Sequence, residues 1–538
     1  MLPALSGDDR VTRCFTLVPG SDFGADALAA IEEVGARTVP WSEAVSRTYD
    51  LVIAASPKGD LGRLRGPQVL LPHGAGFNKT IPYEGSADSA SGLDPVYLSR
   101  AEGAAPIVLH ALAHPAQLSR LTTVAPQAAR SAKVVGDPTL ERVLASRAHR
   151  DGYRAALGTG PRTLVALAST WGPESLIRRR PDLPARLAAR LPHDEYQLAL
   201  VVHPNEWSRL GAFELRQRLE PALAAGTLLP RPRDEWASVL VAADALVTDH
   251  GSAALYYAAV DDRPVVTACR GGDELLPGSP MDVLLGGVPE LGPPEDLPKA
   301  LRAYRPGRAA EAARAAFAHR HEALRRLRDE LYALLDLAPL DQPAPAAAPL
   351  PLPDAPRRTP CAFDVQVELT EESIGIARHP AGTGTPGHHL AVEHGAASEQ
   401  LARSAGLLYR RPSAGPVDEG HLGWTFDGWA RRVLSDYPGC RTAAAVLPAG
   451  RCLLRVRGQH RPYVLEVGPI TENGRVARVD PAAAASAAHA WLTRPTATTG
   501  ADIDIDIDID TTLTCMVGAR AFPVRVRPAT SDEAQQEI

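Results

Sequence analysis

Residues 197–207 read QLALVVHPNEW, and residues 245–257 read ALVTDHGSAALYY. Each opens on a short apolar run and closes on a cluster of polar side chains. Apolar runs of this length, bounded by turn residues, read as strands buried on both faces. Pro204 ends the first strand, because proline cannot donate to a sheet ladder. In the second, Gly251 and Ser252 open a helix whose first N–H groups lack intrahelical acceptors. Strands that lead through polar residues into a helix are the repeating unit of open parallel α/β sheets. Such sheets bind ligands in the crevice outside the C-terminal ends of their strands.

The same unit recurs on both sides of these stretches. Residues 163–168 (TLVALA) and 264–268 (PVVTA) are further strands, and residues 228–230 end another short run. Residues 184–191, 236–242 and 252–260 read as helices. An earlier set has strand candidates at 14–18 (CFTLV), 50–55 (DLVIAA), 68–71 (QVLL), 106–109 and 133–135, with a helix at 25–34. Alternation of this kind predicts parallel sheets with helices on both faces. Residues 308–335, rich in Ala, Arg, Glu and Leu, predict one long helix with a packed face. Residues 337–360 (LAPLDQPAPAAAPLPLPDAPRRTP) predict an extended, semi-rigid linker. The expected fold class is therefore α/β. Residues 1–158 and 159–336 form two Rossmann-like lobes, 337–360 the linker, and 361–538 a separate C-terminal α+β domain.

In that last domain, residues 365–369 and 452–456 read as strands and 423–433 as a helix. Residues 502–510 alternate Asp and Ile, which fits an exposed edge strand or a low-complexity insertion. Nothing in the sequence places further ligands that would make this row a metal site. Residues 531–538 (SDEAQQEI) are expected to fray.

Bulk composition narrows the function. The 538 residues are 45% hydrophobic and 22% charged, ordinary for globular domains. With 57 basic against 63 acidic residues, the net charge of −6 lacks the basic excess of a nucleic-acid binder. Arg178, Arg179 and Arg180 are expected on a solvated helix face. Six cysteines show no CxxC spacing, which argues against zinc or thioredoxin-like chemistry and suits a reducing cytosol. The first fifteen residues lack the apolar core of a signal peptide, and no run of about 18 apolar residues predicts a membrane span. A cytoplasmic protein is expected, with no cofactor and no metal.

Four clusters carry chemistry. In LLPHGAGFNK (residues 70–79) a strand ends at His73, and Gly74 lets the backbone approach an anion. An imidazole at this place can take a proton from an attacking hydroxyl near neutral pH. A turn with a buried histidine explains the same residues equally well. His203 closes a strand in the same way, and a histidine of this kind in each lobe is harder to ascribe to packing. Asp249, His250, Gly251 and Ser252 follow a strand, and Ser252 can either cap the helix or donate to a phosphate. Ser169, Thr170, Trp171 and Gly172 follow the first strand of the second lobe and can line the same cleft, or form an ordinary turn.

The order of these clusters resembles the CDP-glycerol glycerophosphotransferase family of teichoic-acid enzymes, across about residues 10–310. The matching motifs are His73-Gly74 with Lys79, Thr170-Trp171, His203-Pro204, and Asp249 to Ser252. The resemblance implies a GT-B arrangement, a CDP-linked alcohol as donor and a hydroxyl acceptor at the inner membrane face. It implies His73 as the base, and His203, Gly251 and Ser252 as holders of the pyrophosphate. Gly74, Lys79, Thr170, Trp171, Asp249 and His250 join them as nucleotide- or phosphate-binding residues. Two positions depart from the family: Tyr256 stands where an acidic residue holds the ribose, and Gly172 where an arginine commonly follows Thr-Trp. Two other readings stay open on the same residues. One is a glycosyltransferase or epimerase-like enzyme using a UDP-sugar. The other is a non-catalytic nucleotide-binding module whose C-terminal domain binds a protein partner.

Overall fold

The computed structural model describes residues 2–19, 24–71, 74–81, 90–98, 105–232, 235–341, 346–355, 358–385, 387–412, 422–494 and 510–538. His73 and the Asp-Ile alternation up to residue 509 lie outside the described residues.

Two parallel sheets make up the first part of the chain. One has the order β1 (Val52–Ala54), β2 (Gln68–Leu70), β3 (Ile107–Leu112), β4 (Ala132–Val134). The other comprises β5 (Thr163–Ser169), β6 (Tyr196–Val202), β7 (Ala245–Thr248) and β8 (Val265–Thr267), in the order β6-β5-β7-β8. β5 and β6 are buried except at their first residues, as expected of strands covered on both faces. Among the described residues, 14–18 give a single bridge, Phe15 to Thr38. Their side chains are half-buried, with Cys14 and Val18 packed against the core of the first sheet.

Residues 308–335 are two helices, Arg308–Ala316 and Ala323–Leu334, rather than one. Composition favours helix on both sides, and tertiary contacts make the break. Ala318 N–H donates to the Ala113 carbonyl of the first lobe at 2.8 Å, and His319 adopts φ +47°. Gly136 packs against this bend, where a Cβ would come within 3.0 Å of the Ala318 carbonyl oxygen. The second helix then buries Leu324, Leu327, Leu331 and Tyr332 with Val69, Leu109 and Val135 of the first sheet. In exchange, helices Pro138–Ala145 and Arg150–Ala156 place Leu140, Val143 and Tyr153 in the core of the second sheet. Packing thus changes hands at Gly136, ahead of residue 158.

Tyr256 joins the two parts. Its hydroxyl donates to Asp137 Oδ2 at 2.6 Å, while Asp137 Oδ1 caps the Pro138–Ala145 helix by accepting from Thr139 and Leu140 N–H. The neighbouring Tyr257 hydroxyl is buried and has no hydrogen-bond partner among the described residues.

The Pro/Ala-rich segment has no helix or strand among its described residues, but it is strapped down rather than loose. Leu350 is buried in the core of the second lobe. The Tyr153 and Ser238 hydroxyls donate to the carbonyls of Leu350 and Pro351 at 2.8 and 2.6 Å.

Beyond it stands a closed nine-stranded barrel, more specific than the expected α+β domain. Around the barrel run Ser373–Pro380, Thr511–Val517, Arg520–Pro528, Tyr463–Val467, Arg451–Val456, Thr442–Leu447, Leu407–Arg410, His389–Glu393 and Ala362–Leu369. The helix Pro481–Leu492 (PAAAASAAHAWL) fills the interior, with Ala482 to Ala490 buried on every side. It shares a core with Phe363, Ile376, Tyr409, Leu454 and Phe522. A helix buried all round must be apolar all round, and alanine keeps it narrow enough for the lumen. Thr442–Leu447 (TAAAVL) is buried at all six positions, because the Phe426–Asp436 helix covers its outer side. The last residues are ordered by a capping box from Thr530 to Glu533 and by Ile538 N–H donating to the Trp424 carbonyl.

The barrel is locked to the second lobe by one buried arginine. Arg378 donates through Nε and Nη2 to Asp194 at 2.7 and 2.6 Å, and through Nη2 to Asp480 at 2.8 Å. Arg411 adds two bonds to Asp480, at 3.1 and 2.7 Å. Burial alone would raise the Asp480 pKa, but Arg378 and Arg411 outweigh it and hold the carboxyl well below the usual 3.8.

Tyr256→Phe is expected to cost about 1–3 kcal/mol by leaving Asp137 short of a donor. Tyr257→Phe is expected to be neutral or stabilising, and the shift of the thermal transition in each variant checks the pair. A depressed carboxylate pKa stabilises the fold above its unfolded value and loses that contribution as pH falls. Asp480→Asn should therefore destabilise at neutral pH and flatten the loss of stability below about pH 4, measured by denaturant titration at several pH values.

Candidate functional site

In the second sheet, β5 is flanked by β6 on one side and β7 on the other. The chain reverses direction of assembly there, and the crevice opens at the C-terminal ends of β5 and β7. Thr170 follows β5, His203 follows β6, and Asp249 follows β7. The predicted clusters of the second lobe therefore meet at one edge of one sheet.

Asp249 is fully buried and holds this edge together. Its Oδ2 accepts from Thr170 and Leu176 N–H at 2.9 and 2.7 Å, and its Oδ1 accepts from Gly251 N–H at 2.9 Å. It thus fixes the Thr170 loop against the Gly251 turn. Gly251 has no room for a side chain, since a Cβ would lie 3.0 Å from both Asp249 Oδ1 and Thr170 Cβ. Ser252 stands at the head of the Ala253–Val260 helix and makes no capping bond with its side chain. Its hydroxyl faces the first lobe: a Cβ on Gly74, at φ +73°, would sit 2.9 Å from Ser252 Oγ.

His203 heads the Pro204–Ala224 helix, and its Nδ1 accepts from Asn205 N–H at 3.1 Å. In the neutral ring this leaves the proton on Nε2, which makes that atom a donor. The Trp171 ring lies beside it, with centroids 6.4 Å apart.

The first lobe enters through Lys79. Its ammonium donates to Glu274 Oε2 at 2.9 Å and to the Trp171 carbonyl, and lies 4.0 Å over the Trp171 ring. His250 Nε2 approaches the same Glu274 oxygen to 3.1 Å, and its buried Nδ1 has no hydrogen-bond partner among the described residues. Burial works to raise the Glu274 pKa, but His250 and Lys79 outweigh it, so the carboxylate stays charged. The backbone closes around this group: Lys79 bridges Leu275, Thr80 N–H donates to the Glu274 carbonyl, and Leu276 N–H to that of Asn78. Asn78 Oδ1 accepts from Met281 N–H at 3.2 Å.

These contacts bring Gly74, Lys79, Thr170, Trp171, His203, Asp249, His250, Gly251 and Ser252 to one interlobe seam. They also redistribute the expected roles. Both oxygens of Asp249 are spent on backbone donors, and Lys79 is paired within the protein. Gly172 and Tyr256, the two departures from the family pattern, have structural causes. Gly172 sits at φ +98°, and a Cβ there would meet Glu274 Oε1 at 2.5 Å and Lys79 Nζ at 2.9 Å. Tyr256 is turned away into the core, toward Asp137.

Sequence reasoning missed Glu274 and Glu206. Glu274 follows Gly271 and Gly272, both at positive φ just beyond β8, and that glycine pair was the available signal. Glu206 is buried beside His203 and accepts from Arg209 at 3.0 and 2.7 Å, with Arg178 at 3.5 Å. Arg178 is thus not simply a solvated residue. Neither is Arg180, which donates to the carbonyls of Leu291 and Gly292 at 2.8 and 2.7 Å.

Gly172→Ala is expected to lower stability by about 1–3 kcal/mol, combining left-handed backbone strain with displacement of the Lys79–Glu274 pair. A depressed melting temperature without loss of the barrel's own circular-dichroism signal checks it.

No family model and no curated protein matches the sequence. Among solved structures, the chain is similar to the wall teichoic acid polymerase TagF. The identity is 13%, over 60% of this chain and 81% of that one, with a TM-score of 0.41. It is also similar to Anabaena Alr3699/HepE in complex with UDP-glucose. There the identity is 16%, over 60% of this chain and 92% of that one, with a TM-score of 0.36.

Proposed function

We propose that the interlobe seam binds a nucleoside-diphosphate-linked donor, and that the chain transfers a polyol phosphate from a CDP-linked alcohol to a hydroxyl acceptor. The observation that carries this reading is the meeting of Gly74 with Ser252 at a helix N-terminus whose serine makes no side-chain cap. A helix start whose serine hydroxyl is not spent on a cap, with a facing glycine backbone, suits a phosphate, because the N–H groups and the helix dipole both favour negative charge. His203 adds an Nε2–H donor, and Trp171 offers an apolar face beside it.

In the proposed reaction the acceptor hydroxyl oxygen attacks the phosphorus that carries the polyol. The new P–O bond forms as the bond to the bridging oxygen breaks, and CMP leaves with that oxygen. The hydroxyl proton passes to His73, the base that the family resemblance implies. His203 and Ser252 stabilise charge on the transferring and leaving phosphates, so positioning and electrostatics supply most of the rate.

The commitment of Lys79 to Glu274, and of Tyr256 to Asp137, favours a second reading in which the seam binds nucleotide without turnover. Isothermal titration with CDP-glycerol and UDP-glucose, combined with a CMP-release assay, separates the two. The first reading expects binding of the cytidine compound at millimolar concentration or below. It expects Ser252→Ala to weaken binding about five- to tenfold, the worth of one hydrogen bond. It expects His73→Ala to reduce CMP release about 10²–10⁴-fold. Binding without release would establish the second reading, a preference for the uridine compound would establish a sugar donor, and no binding of either would overturn them all.

A further inference from the structure

Arg178 and Arg209 share one buried carboxylate at the C-terminal edge of the second sheet. Glu206 is 2% exposed and lies in the first turn of the helix that His203 heads, where its N–H donates to the His203 carbonyl at 3.0 Å. Its Oε2 accepts from Arg209 Nε and Nη2 at 3.0 and 2.7 Å. Its Oε1 lies 3.5 Å from Arg178 Nη2 and 3.5 Å from the Gly172 nitrogen, whose N–H it accepts. Arg178 belongs to the short helix Leu176–Arg179, which Asp249 Oδ2 anchors by accepting from Leu176 N–H at 2.7 Å. Arg209 stands one turn beyond Glu206 on the same helix. One carboxylate therefore ties the loop after β5 to the helix after β6.

This arrangement leaves charge and donors unused. Two guanidiniums against one carboxylate carry one surplus positive charge. The next carboxylate along the loop, Glu174, is paired with Arg179 at 3.6 Å. Burial works to raise the Glu206 pKa, but Arg209 and Arg178 outweigh it and hold the carboxyl below the usual 4.5, so it is charged at neutral pH. Each guanidinium has five N–H donors in a planar fork. Arg209 spends two of them on Glu206, and Arg178 makes one longer contact with it. Neither side chain has another hydrogen-bond or ion-pair partner among the described residues. The two side chains remain 38% and 42% exposed, so Glu206 anchors them without burying them.

Support of the fold does not account for this pattern. A half-exposed ion pair contributes little stability, and a buried carboxylate costs desolvation. A guanidinium already fixed on a carboxylate loses less side-chain freedom when it takes a ligand, and its fork matches the oxygens of a phosphate. The place is also the right one for such a ligand. His203 starts the helix that carries Glu206 and Arg209, and the Trp171 ring lies beside His203.

We infer that Arg178 and Arg209 form a clamp for a phosphate group beside His203, with Glu206 as the positioning residue that sets both guanidiniums and does not itself touch the ligand. The inference rests on reading the interlobe seam as a site for a phosphate-bearing ligand. The phosphate belongs either to the donor's diphosphate or to a phosphorylated acceptor, and the fork geometry suits both.

Isothermal titration of the full-length protein with inorganic pyrophosphate, CDP-glycerol and glycerol 3-phosphate tests the clamp. Arg178→Gln and Arg209→Gln, both at half-exposed side chains, are each expected to weaken pyrophosphate binding about tenfold. Glu206→Gln separates positioning from simple charge. It removes a negative charge next to the clamp, so charge alone predicts tighter binding, whereas loss of positioning predicts binding about fivefold weaker. Thermal melts of the three variants report that the fold is kept, and the arginine pair carries the test where Glu206→Gln does not fold. An equal loss with CDP-glycerol assigns the phosphate to the donor, and a loss confined to pyrophosphate and glycerol 3-phosphate assigns it to the acceptor. Arginine-dependent binding without CMP release from CDP-glycerol keeps the clamp and ends the transferase reading. CMP release untouched by all three substitutions does the reverse. The inference is also overturned if Glu206→Gln binds pyrophosphate more tightly, if both arginine variants bind it as well as the unsubstituted protein, or if none of the three compounds binds at about 10 mM.

Discussion

The Lys79 ammonium, seated over the Trp171 ring and bonded to Glu274, is the knot on which the interlobe seam depends. Lys79 comes from the first lobe and both partners from the second. Around it every near neighbour is constrained. Gly172 must lack a side chain to leave space for the pair, and Gly271 must lack one to pass the His250 ring, which a Cβ would approach to 2.5 Å. A buried ion pair contributes little net stability, because desolvation offsets most of the attraction, but removing one partner costs about 3–5 kcal/mol. Its effect is therefore on specificity: it fixes which residues of the two lobes face each other. The convergence of Gly74 on Ser252 follows from that fixed register.

The α/β part was largely legible because its strands are short, apolar and followed by chemistry-bearing tips. The runs at 163–168, 197–203 and 245–248 lie within one residue of β5, β6 and β7. The meeting of three motifs at one edge of the second sheet was also legible, since strand ends in a parallel sheet share a side. What each residue does there was less so. Asp249 reads as a ligand from its position, yet its oxygens are consumed by three backbone N–H groups that only the folded turn creates. Ser252 reads equally as a cap or a donor, and only the helix geometry distinguishes them. Glu274 is far from Lys79 in sequence, and no local pattern pairs them.

Tertiary packing overrode local preference elsewhere. Residues 308–335 have a helical composition throughout, and the bend at 317–322 comes from the first lobe pressing against Ala318. The barrel was the least legible element. Strands such as TAAAVL and a helix such as PAAAASAAHAWL have nearly the same alanine-rich composition, and their assignment depends on the surrounding wall rather than on the residues themselves. The Pro/Ala-rich segment, expected as an extended linker, has no helix or strand among its described residues, and its anchoring through Leu350 rests on partners, Tyr153 and Ser238, that its own sequence does not contain.

The lobes and barrel form a connected object with two polar junctions at opposite edges of one sheet. The junction at the strand C-termini bears the proposed chemistry, and its central claim is that a pyrophosphate lies between Gly74 and the Ala253–Val260 helix. A crystal structure of the full chain soaked with CDP-glycerol tests this most directly. The account predicts phosphate density within hydrogen-bond distance of Ser252 Oγ and His203 Nε2, with the cytosine toward the second lobe. Nucleotide density found only on another surface, with this seam closed and empty at saturating ligand, would contradict it.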